Sequence, residues 1–122
     1  MKRKNKYNNH KVTIDDIAFD SYMESRYYRY LKELQQQGIV KSFDMQVPYI
    51  LQNAFTKNGK RHRAIKYVAD FVVYYKDGHT EVIDIKGAIT KEFAIKRKLF
   101  EKRYSDLTLK LLTYKSGRWV EK

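Results

Sequence analysis

Cysteine is absent from the 122-residue chain, and proline and glycine are scarce, with one and five residues. The lack of cysteine excludes disulfides and thiolate metal sites and is compatible with an intracellular location. No apolar run approaches the length of a membrane span. Asp15 and Asp16 interrupt the stretch that a signal peptide would need. We therefore expect a cytoplasmic protein that does not bind a membrane.

Signatures of several enzyme classes are also missing. The chain has no Gly-rich phosphate loop, and none of its serines lies in a nucleophile elbow. His10, His62 and His79 lack the spacing of metal ligands. Phosphate-loop and serine-nucleophile chemistry therefore have no support, and we expect the histidines at the surface.

Positive charge is in clear excess. Lysine and arginine number 26 against 14 acids, a net charge of +12, which suggests a polyanionic partner, most simply nucleic acid. Residues 1–11 carry five bases and no acid, 57–66 carry five bases, and 91–103 carry six bases against two acids. Each segment alone is explained by a solvated face, whereas together they could line a groove along a phosphate backbone.

The pattern of apolar residues predicts a single domain over 1–122, with residues 1–11 as a flexible basic arm. Helical spacing predicts a first helix that closes at Gly38, and Thr90 is a plausible N-cap for a second helix. In the first helix, the spacing places Tyr27 and Tyr30 in the core rather than free to stack on bases.

Strand-like runs lie between and after the helices. Asn58-Gly59 is a two-residue hairpin signal, Pro48 marks an edge strand or a bend, and a last strand is predicted over 107–114. The strand bearing Asp70 has neighbours on both sides and is apolar on both faces, so it should be central. The order is helix, three or four strands, helix, strand, which predicts an α/β fold with a mixed central sheet flanked by helices.

Asp70, Asp84 and Lys86 interrupt the apolar run YVADFVVYYKDGHTEVIDIKG. Burying an ionised carboxylate costs several kcal/mol unless it is paired or binds a cation. Side chains alternate along a strand, so Asp84 and Lys86 share a face. A site for a divalent cation would account for all three charges, whereas an ion pair between Lys86 and one acid would leave the second acid unexplained.

The turn at Asp77-Gly78 decides whether the two acids meet. A two-residue turn would pair Lys76 with His79 and separate the acids. A three-residue loop with a left-handed Gly78 would pair Tyr75 with His79 and bring Asp70 across from Asp84. We predict the three-residue loop.

The pattern resembles the PD-(D/E)XK nuclease superfamily, whose core is a helix, a three-stranded meander, a second helix and a further strand. Asp70 in VADF matches the acid of its second strand, and Asp84-Ile85-Lys86 in VIDIKG matches the acid-x-lysine of its third. The proline that precedes the first acid in the superfamily is replaced by Ala69. The resemblance implies a restriction-endonuclease-like αβββαβ core.

A closer resemblance is to small phage-encoded endonucleases of the Holliday-junction-resolvase type, through the segments FDSYMESRYYRYL, GKRHRAIKYVADF and DIKGAITKEFAIKRKLF. In similar proteins a glutamate of the first helix completes the acidic cluster, and Glu24 matches it. Ser21-x-x-Glu24 is also a capping box, which would tie the glutamate to the helix start. The resemblance favours metal binding and implies a phage protein that acts in the host cell.

The resemblance implies a Mg²⁺- or Mn²⁺-dependent endodeoxyribonuclease that acts on branched DNA such as Holliday junctions, and the symmetry of such substrates suggests a homodimer. Asp70 and Asp84 would bind the metal, with the Ile85 carbonyl and Glu24 completing the shell and Lys86 orienting the attacking water. Further candidates for contact with nucleic acid are Arg61, Arg63, Thr90, Lys91, Lys96 and Lys98. The alternatives are a non-catalytic basic nucleic-acid-binding protein and an RNA endonuclease with the same site.

Overall fold

Two helices and nine strands make up the described part of the chain, residues 11–122, in the computed structural model. In chain order they are β1 (Val12–Ile14), β2 (Ile17–Phe19), α1 (Tyr22–Gln36), β3 (Val40–Gln52), β4 (Phe55–Lys57), β5 (Lys60–His62), β6 (Ile65–Tyr75), β7 (Thr80–Ile85), α2 (Lys91–Arg103), β8 (Thr108–Lys115) and β9 (Arg118–Glu121). Apart from Lys11, the predicted basic arm lies outside the described residues.

Five strands form one mixed sheet in the order β3-β6-β7-β8-β9. Strands β7 and β8 are parallel, and the other neighbours are antiparallel. The elements α1, β3, β6, β7, α2 and β8 follow the predicted αβββαβ order, which confirms the α/β fold class. The β1–β2 hairpin and β9 are additions to this order. Pro48 lies in β3, which is an edge strand of the sheet, as predicted.

Each face of the sheet is covered by one helix. Residues that follow one another in a strand point to opposite faces, so Ile83 packs beneath α1 with Tyr27 and Leu31, whereas Val82 packs beneath α2 with Phe100. Both strands that carry the predicted acids are therefore held from both sides. Neither helix within residues 11–122 has the length and apolar character needed to span a membrane.

The helix ends follow the predicted caps. The Ser21 hydroxyl accepts a hydrogen bond from the Glu24 N–H at 3.1 Å, and the Thr90 hydroxyl accepts one from the Phe93 N–H at 3.1 Å. Each bond satisfies a donor that the first helical turn leaves free. Gly38, just after α1, has a φ of 80°, as predicted for the residue that ends a helix.

The β6–β7 connection is the predicted three-residue loop. The Tyr75 N–H donates to the His79 carbonyl at 2.9 Å, the Gly78 N–H donates to the Tyr75 carbonyl at 3.0 Å, and Gly78 has a φ of 99°. Asn58 and Gly59 both have positive φ between β4 and β5, which confirms that hairpin as well. The first of these turns fixes the register of the strands that carry Asp70 and Asp84.

Candidate active site

Strands β6 and β7 separate where the predicted acids lie. Their ladder pairs Val72 with Val82 and Phe71 with Ile83, and it ends there. The next two residues in this register would be Asp70 and Asp84. Instead of continuing the ladder, Asp70 Oδ2 accepts a hydrogen bond from the backbone N–H of Ile85 at 2.8 Å. The Asp70 carboxylate thus lies between the two strands, as the predicted loop requires.

Side-chain alternation along β6 also changes at Asp70. Tyr67 and Ala69 pack on the α2 side of the sheet, yet Phe71, two residues further on, packs on the α1 side. Across the β3–β6 ladder, Gln46 lies at the position opposite Asp70 and has a φ of 54°, a conformation that is costly for a residue other than glycine. Local irregularity of both strands accompanies the site.

Because of this switch, Asp70 lines two cavities. One, of about 140 Å³, also contains Glu24 and Gln46. The other is an open cleft of about 280 Å³ that contains Asp84 and Lys86. Asp70 is therefore the link between the acid of α1 and the acid of β7.

Asp84 is buried at the end of β7, with 2% of its surface exposed. Its Oδ1 accepts a hydrogen bond from the Tyr67 hydroxyl at 2.9 Å. Its Oδ2 is buried and has no hydrogen-bond partner among the described residues, although Lys86 Nζ lies 3.1 Å away. Asp84 Oδ2 thus forms an ion pair with Lys86 and contacts no other polar group of the described residues, which leaves room for a further ligand.

Lys86 lies on the same side as Asp84, as alternation predicts. Its ammonium also lies 4.9 Å from the centre of the Phe93 ring, and 31% of its side chain is exposed. The ion pair considered as the alternative to a metal site is thus present. It leaves Asp70 and Glu24 without a cation, so it does not account for the whole cluster.

Glu24 makes the capping contact and also faces the acids of the sheet. Its carboxylate accepts a hydrogen bond from the Ser21 hydroxyl at 3.0 Å, which ties it to the start of α1. The same carboxyl group faces Asp70 and feels the charge of Asp84. Burial is the main reason that the pKa of Glu24 lies above its usual value.

The electrostatics of the cluster favour a cation. Burial, together with the negative charges of Asp84 and Glu24, raises the pKa of Asp70 to about 8. Within residues 11–122, no three His, Asp or Glu side chains are grouped so that they alone would hold a metal ion. A Mg²⁺ ion needs only one or two carboxylates with water and substrate phosphates, so Asp70 and Asp84 with the Ile85 carbonyl fit such an ion.

The candidates for contact with nucleic acid divide into two groups. Thr90 and Lys96 line the cleft with Asp84, and Lys96 also lies 3.9 Å from Glu92. The other four candidates are exposed and lie outside the lining of this cleft: Arg61, Arg63, Lys91 and Lys98.

Two residues of the cleft were not anticipated from the sequence. Tyr67 orients Asp84, and Lys66 lines the cleft near it. Strict alternation would place Tyr67 and Asp70 on opposite faces, so the sequence pattern gave no signal for their joint role. The face switch at Asp70 is a tertiary feature that brings them together.

Comparisons with known proteins identify the family. The family model described as "Protein of unknown function (DUF1064)" matches residues 4–120, and the chain belongs to that family. Among solved structures, the crystal structure of SSO0001 is similar, with 17% sequence identity and a TM-score of 0.46 over 80% of this chain. The match covers 48% of that protein, so this chain spans about half its length. A search of curated proteins found no match.

Proposed function

We propose that this member of the DUF1064 family is a metal-dependent endonuclease that hydrolyses phosphodiester bonds in DNA. The observation that carries the proposal is that Asp70 of β6 interacts with both Glu24 of α1 and Asp84 of β7, and that the Lys86 ammonium pairs with Asp84. Within the described residues, the carboxyl groups of the cluster outnumber the ammonium that pairs with them, and the raised pKa of Asp70 reflects the cost of ionising them together. A divalent cation would compensate the ionised carboxylates and remove that cost.

Asp70 and Asp84 would hold the ion, with the Ile85 carbonyl, and Glu24 would bind directly or through water. Hard oxygen ligands of this kind suit Mg²⁺ or Mn²⁺. When bound, the ion would polarise the phosphoryl group and lower the pKa of an attacking water.

The side chains around the cluster have separate tasks. The Tyr67 hydroxyl and the Ile85 N–H fix the orientation of the Asp84 and Asp70 carboxylates. The Lys86 ammonium orients the attacking water and stabilises negative charge that grows on the phosphate. Lys66, with Thr90 and Lys96, lines the same cleft and would contact neighbouring phosphates.

Branched or recombination-intermediate DNA, such as a Holliday junction, is the substrate we propose, on the basis of the resemblance to resolvase-like endonucleases. The net charge of +12 supports a polyanionic substrate. A homodimer follows from the same reasoning, because a substrate with two-fold symmetry is matched by two copies of one site. The proposed location is the cytoplasm of a host cell.

The Lys86–Asp84 ion pair is the observation that favours a second candidate, a basic nucleic-acid-binding protein without catalysis. In such a protein, the ammonium would simply neutralise one carboxylate. An RNA endonuclease built on the same residues is a third candidate, because the cluster itself does not distinguish the two sugars.

Cleavage of defined substrates tests the proposal. Supercoiled, linear, four-way-junction and RNA substrates are incubated with the protein in Mg²⁺ or in EDTA, beside Asp84→Asn and Lys86→Ala. Asp106→Asn, at an exposed position outside this cluster, is the matched control. We expect Mg²⁺-dependent nicking of DNA by the unmutated protein and the control alone. Binding without any cleavage would establish the non-catalytic protein, and cleavage of RNA alone would establish the ribonuclease.

A further inference from the structure

A second cleft, of about 460 Å³, opens between α1 and the β8–β9 hairpin, and the proposed active site uses none of its residues. Its main walls are Tyr22, Arg26 and Arg29 of α1 and Tyr114, Arg118 and Trp119 of the hairpin. We refer to these six residues as the aromatic-arginine cleft. Its volume lies in the range of small-ligand sites, about 300–1,000 Å³.

Local structure fixes both walls. Residues four and three positions apart share a side of a helix, so Tyr22, Arg26 and Arg29 project from the same side of α1. Ser116 and Gly117 have φ values of 52° and 80°, as expected for a tight two-residue hairpin turn. This turn pairs Tyr114 directly with Trp119, and their ring centres lie 5.0 Å apart.

Aromatic rings hold one guanidinium of the cleft in place. Arg26 Cζ lies 4.1 Å from the ring centre of Tyr114 and 5.5 Å from that of Tyr22. Stacking on a ring leaves the N–H groups at the edge of the guanidinium plane free to donate, and their fork matches the oxygens of a phosphate. Arg26 is therefore oriented for an anion before any anion arrives.

The positive charge of the cleft is not neutralised locally. Among the described residues, no carboxylate lies within 4.0 Å of the charged groups of Arg26, Arg29 or Arg118. Glu33 is the one carboxylate of the lining. An aromatic surface is also open to a ligand, because 52% of Tyr22 is exposed. The cleft thus combines anion donors with a face on which a planar group can stack.

We propose that the aromatic-arginine cleft binds single-stranded nucleic acid, with its arginines on phosphates and an unpaired base stacked on its aromatic rings. Every base has a π-face, so stacking accepts any sequence but requires the base to be unpaired. A second copy of this chain fits the cleft less well, because a two-fold contact would bring the same three arginines against each other.

The aromatic-arginine cleft lies across α1 from the carboxylates of the candidate active site. Glu24 and Arg26 are two residues apart and so lie on opposite sides of α1, whose diameter with side chains is about 10–12 Å. A nucleic-acid strand that crosses the start of α1 would reach both the aromatic-arginine cleft and the carboxylates. This part rests on the proposed function and refines it: the substrate class becomes DNA in which a single-stranded segment adjoins the bond to be cut.

Intrinsic fluorescence tests the cleft directly, since Trp119 is the single tryptophan of the chain. The full chain is titrated in EDTA with a 12-nucleotide oligothymidylate, with an abasic oligomer of the same length, and with a blunt duplex. We expect the oligothymidylate to quench Trp119 emission, and the abasic oligomer and the duplex to leave it unchanged. Equal responses to the oligothymidylate and the abasic oligomer, or a response to the duplex alone, would overturn the proposal.

Variants locate the binding. Tyr22→Ala and Arg26→Gln should each weaken oligothymidylate binding by about tenfold, the effect expected for loss of one stacked base or one phosphate contact. Lys102→Gln, an equal charge change at an exposed position of α2, is the matched control and should bind as the unmutated protein does. Melting curves show whether each variant is folded, and Tyr22 is exposed enough to be removed without a cavity.

The two proposals fail independently, because the binding assay contains no metal and needs no cleavage. Quenching without cleavage in Mg²⁺ would remove the nuclease and keep the cleft. Cleavage with an unresponsive Trp119 would remove the cleft alone. Concentration-dependent dimerisation that Tyr22→Ala abolishes would show that the cleft is an interface between copies, and would overturn the proposal.

Discussion

The two ends of β7 each carry a carboxylate near a lysine, but they differ in how the charge is compensated. At the start of the strand, burial alone would raise the pKa of Glu81, yet hydrogen bonds from Lys110 and Tyr75 lower it. At the other end, Asp84 lies among further acids, and the pKa of Asp70 is raised to about 8. The first end is a neutralised structural network, whereas at the second end the acids are not matched by bases and the pKa of Asp70 is raised, which is typical of functional sites.

The largest expected difference between the two ends is in catalysis. Asp84→Asn should lower the rate of DNA cleavage by at least about 10²–10³-fold, the usual effect of removing one group that stabilises a transition state. Glu81→Gln, the matched change at the other end of β7, should leave the rate within about threefold. Single-turnover cleavage of a labelled junction measures both. Equal losses in the two variants would remove the distinction between the ends.

The second-largest expected difference between the two ends of β7 is in how the free energy of unfolding depends on pH. In the absence of metal, the folded state keeps the Asp70 proton up to about pH 8, whereas the unfolded state loses it near its ordinary pKa. Between these values, the folded state binds more protons, so the free energy of unfolding should fall as the pH rises from 5 to 8. We expect a loss of at least about 1.4 kcal/mol, the equivalent of one pKa unit.

Two treatments should suppress that loss. Asp70→Asn has no carboxylate to ionise, and Mg²⁺ at pH 8 would compensate the charge that the acids carry. Urea unfolding at pH 5 and pH 8, with and without Mg²⁺, provides the measurement. A flat pH profile for the unmutated, metal-free protein would contradict a pKa of Asp70 raised by burial and by the neighbouring acids.

Removing the ion pair between Glu81 and Lys110, at the start of β7, should have a smaller effect on the free energy of unfolding, with a pH dependence opposite to that of Asp70. Lys110→Met removes one partner of Glu81 and should destabilise the fold by about 1 kcal/mol at pH 7. A carboxylate with a lowered pKa contributes stability above its ordinary pKa and loses it as the pH falls, so the difference between variant and unmutated protein should shrink toward pH 3. Thermal unfolding across this range would show it, and a constant difference would speak against the ion pair.

The smallest expected change concerns the backbone beside Asp70. Asparagine tolerates positive φ better than glutamine, so Gln46→Asn should raise the free energy of unfolding by a few tenths of a kcal/mol, up to about 1. Gln52→Asn, in the same strand but outside the residues of positive φ, serves as the control and should not stabilise. Equal effects of the two substitutions would show that the backbone at Gln46 is not strained.

Sequence reasoning was strongest where a local rule fixes geometry. The left-handed preference of glycine at Gly78 selected the three-residue loop, and the period of two in a strand then brought Asp70 toward Asp84. Helical spacing correctly placed Tyr27 in the core, with 2% of its surface exposed. It was wrong for Tyr30, of which 39% is exposed, because that residue lies at the margin of the apolar face of α1.

Features that depend on distant parts of the chain gave no sequence signal. The hydrogen bond between Tyr67 and Asp84 accompanies the face switch of β6. The aromatic-arginine cleft forms because α1 lies beside the β8–β9 hairpin, which is distant in sequence. Strand β9 has four residues, too few for its alternation to stand out. These features result from tertiary packing, which neither the secondary-structure propensities of the residues nor the spacing of apolar residues can predict.

The hydrogen bond from the Ile85 N–H to Asp70 makes one backbone amide a natural spectroscopic reporter. Its proton points at a carboxylate rather than at a strand partner, so its chemical shift will follow the charge on that carboxylate. A Mn²⁺ ion at the carboxylates would broaden this resonance before most others, and a diamagnetic Mg²⁺ would displace it. A single amide peak can therefore record occupancy of the site in a protein to which no nucleic acid has been added.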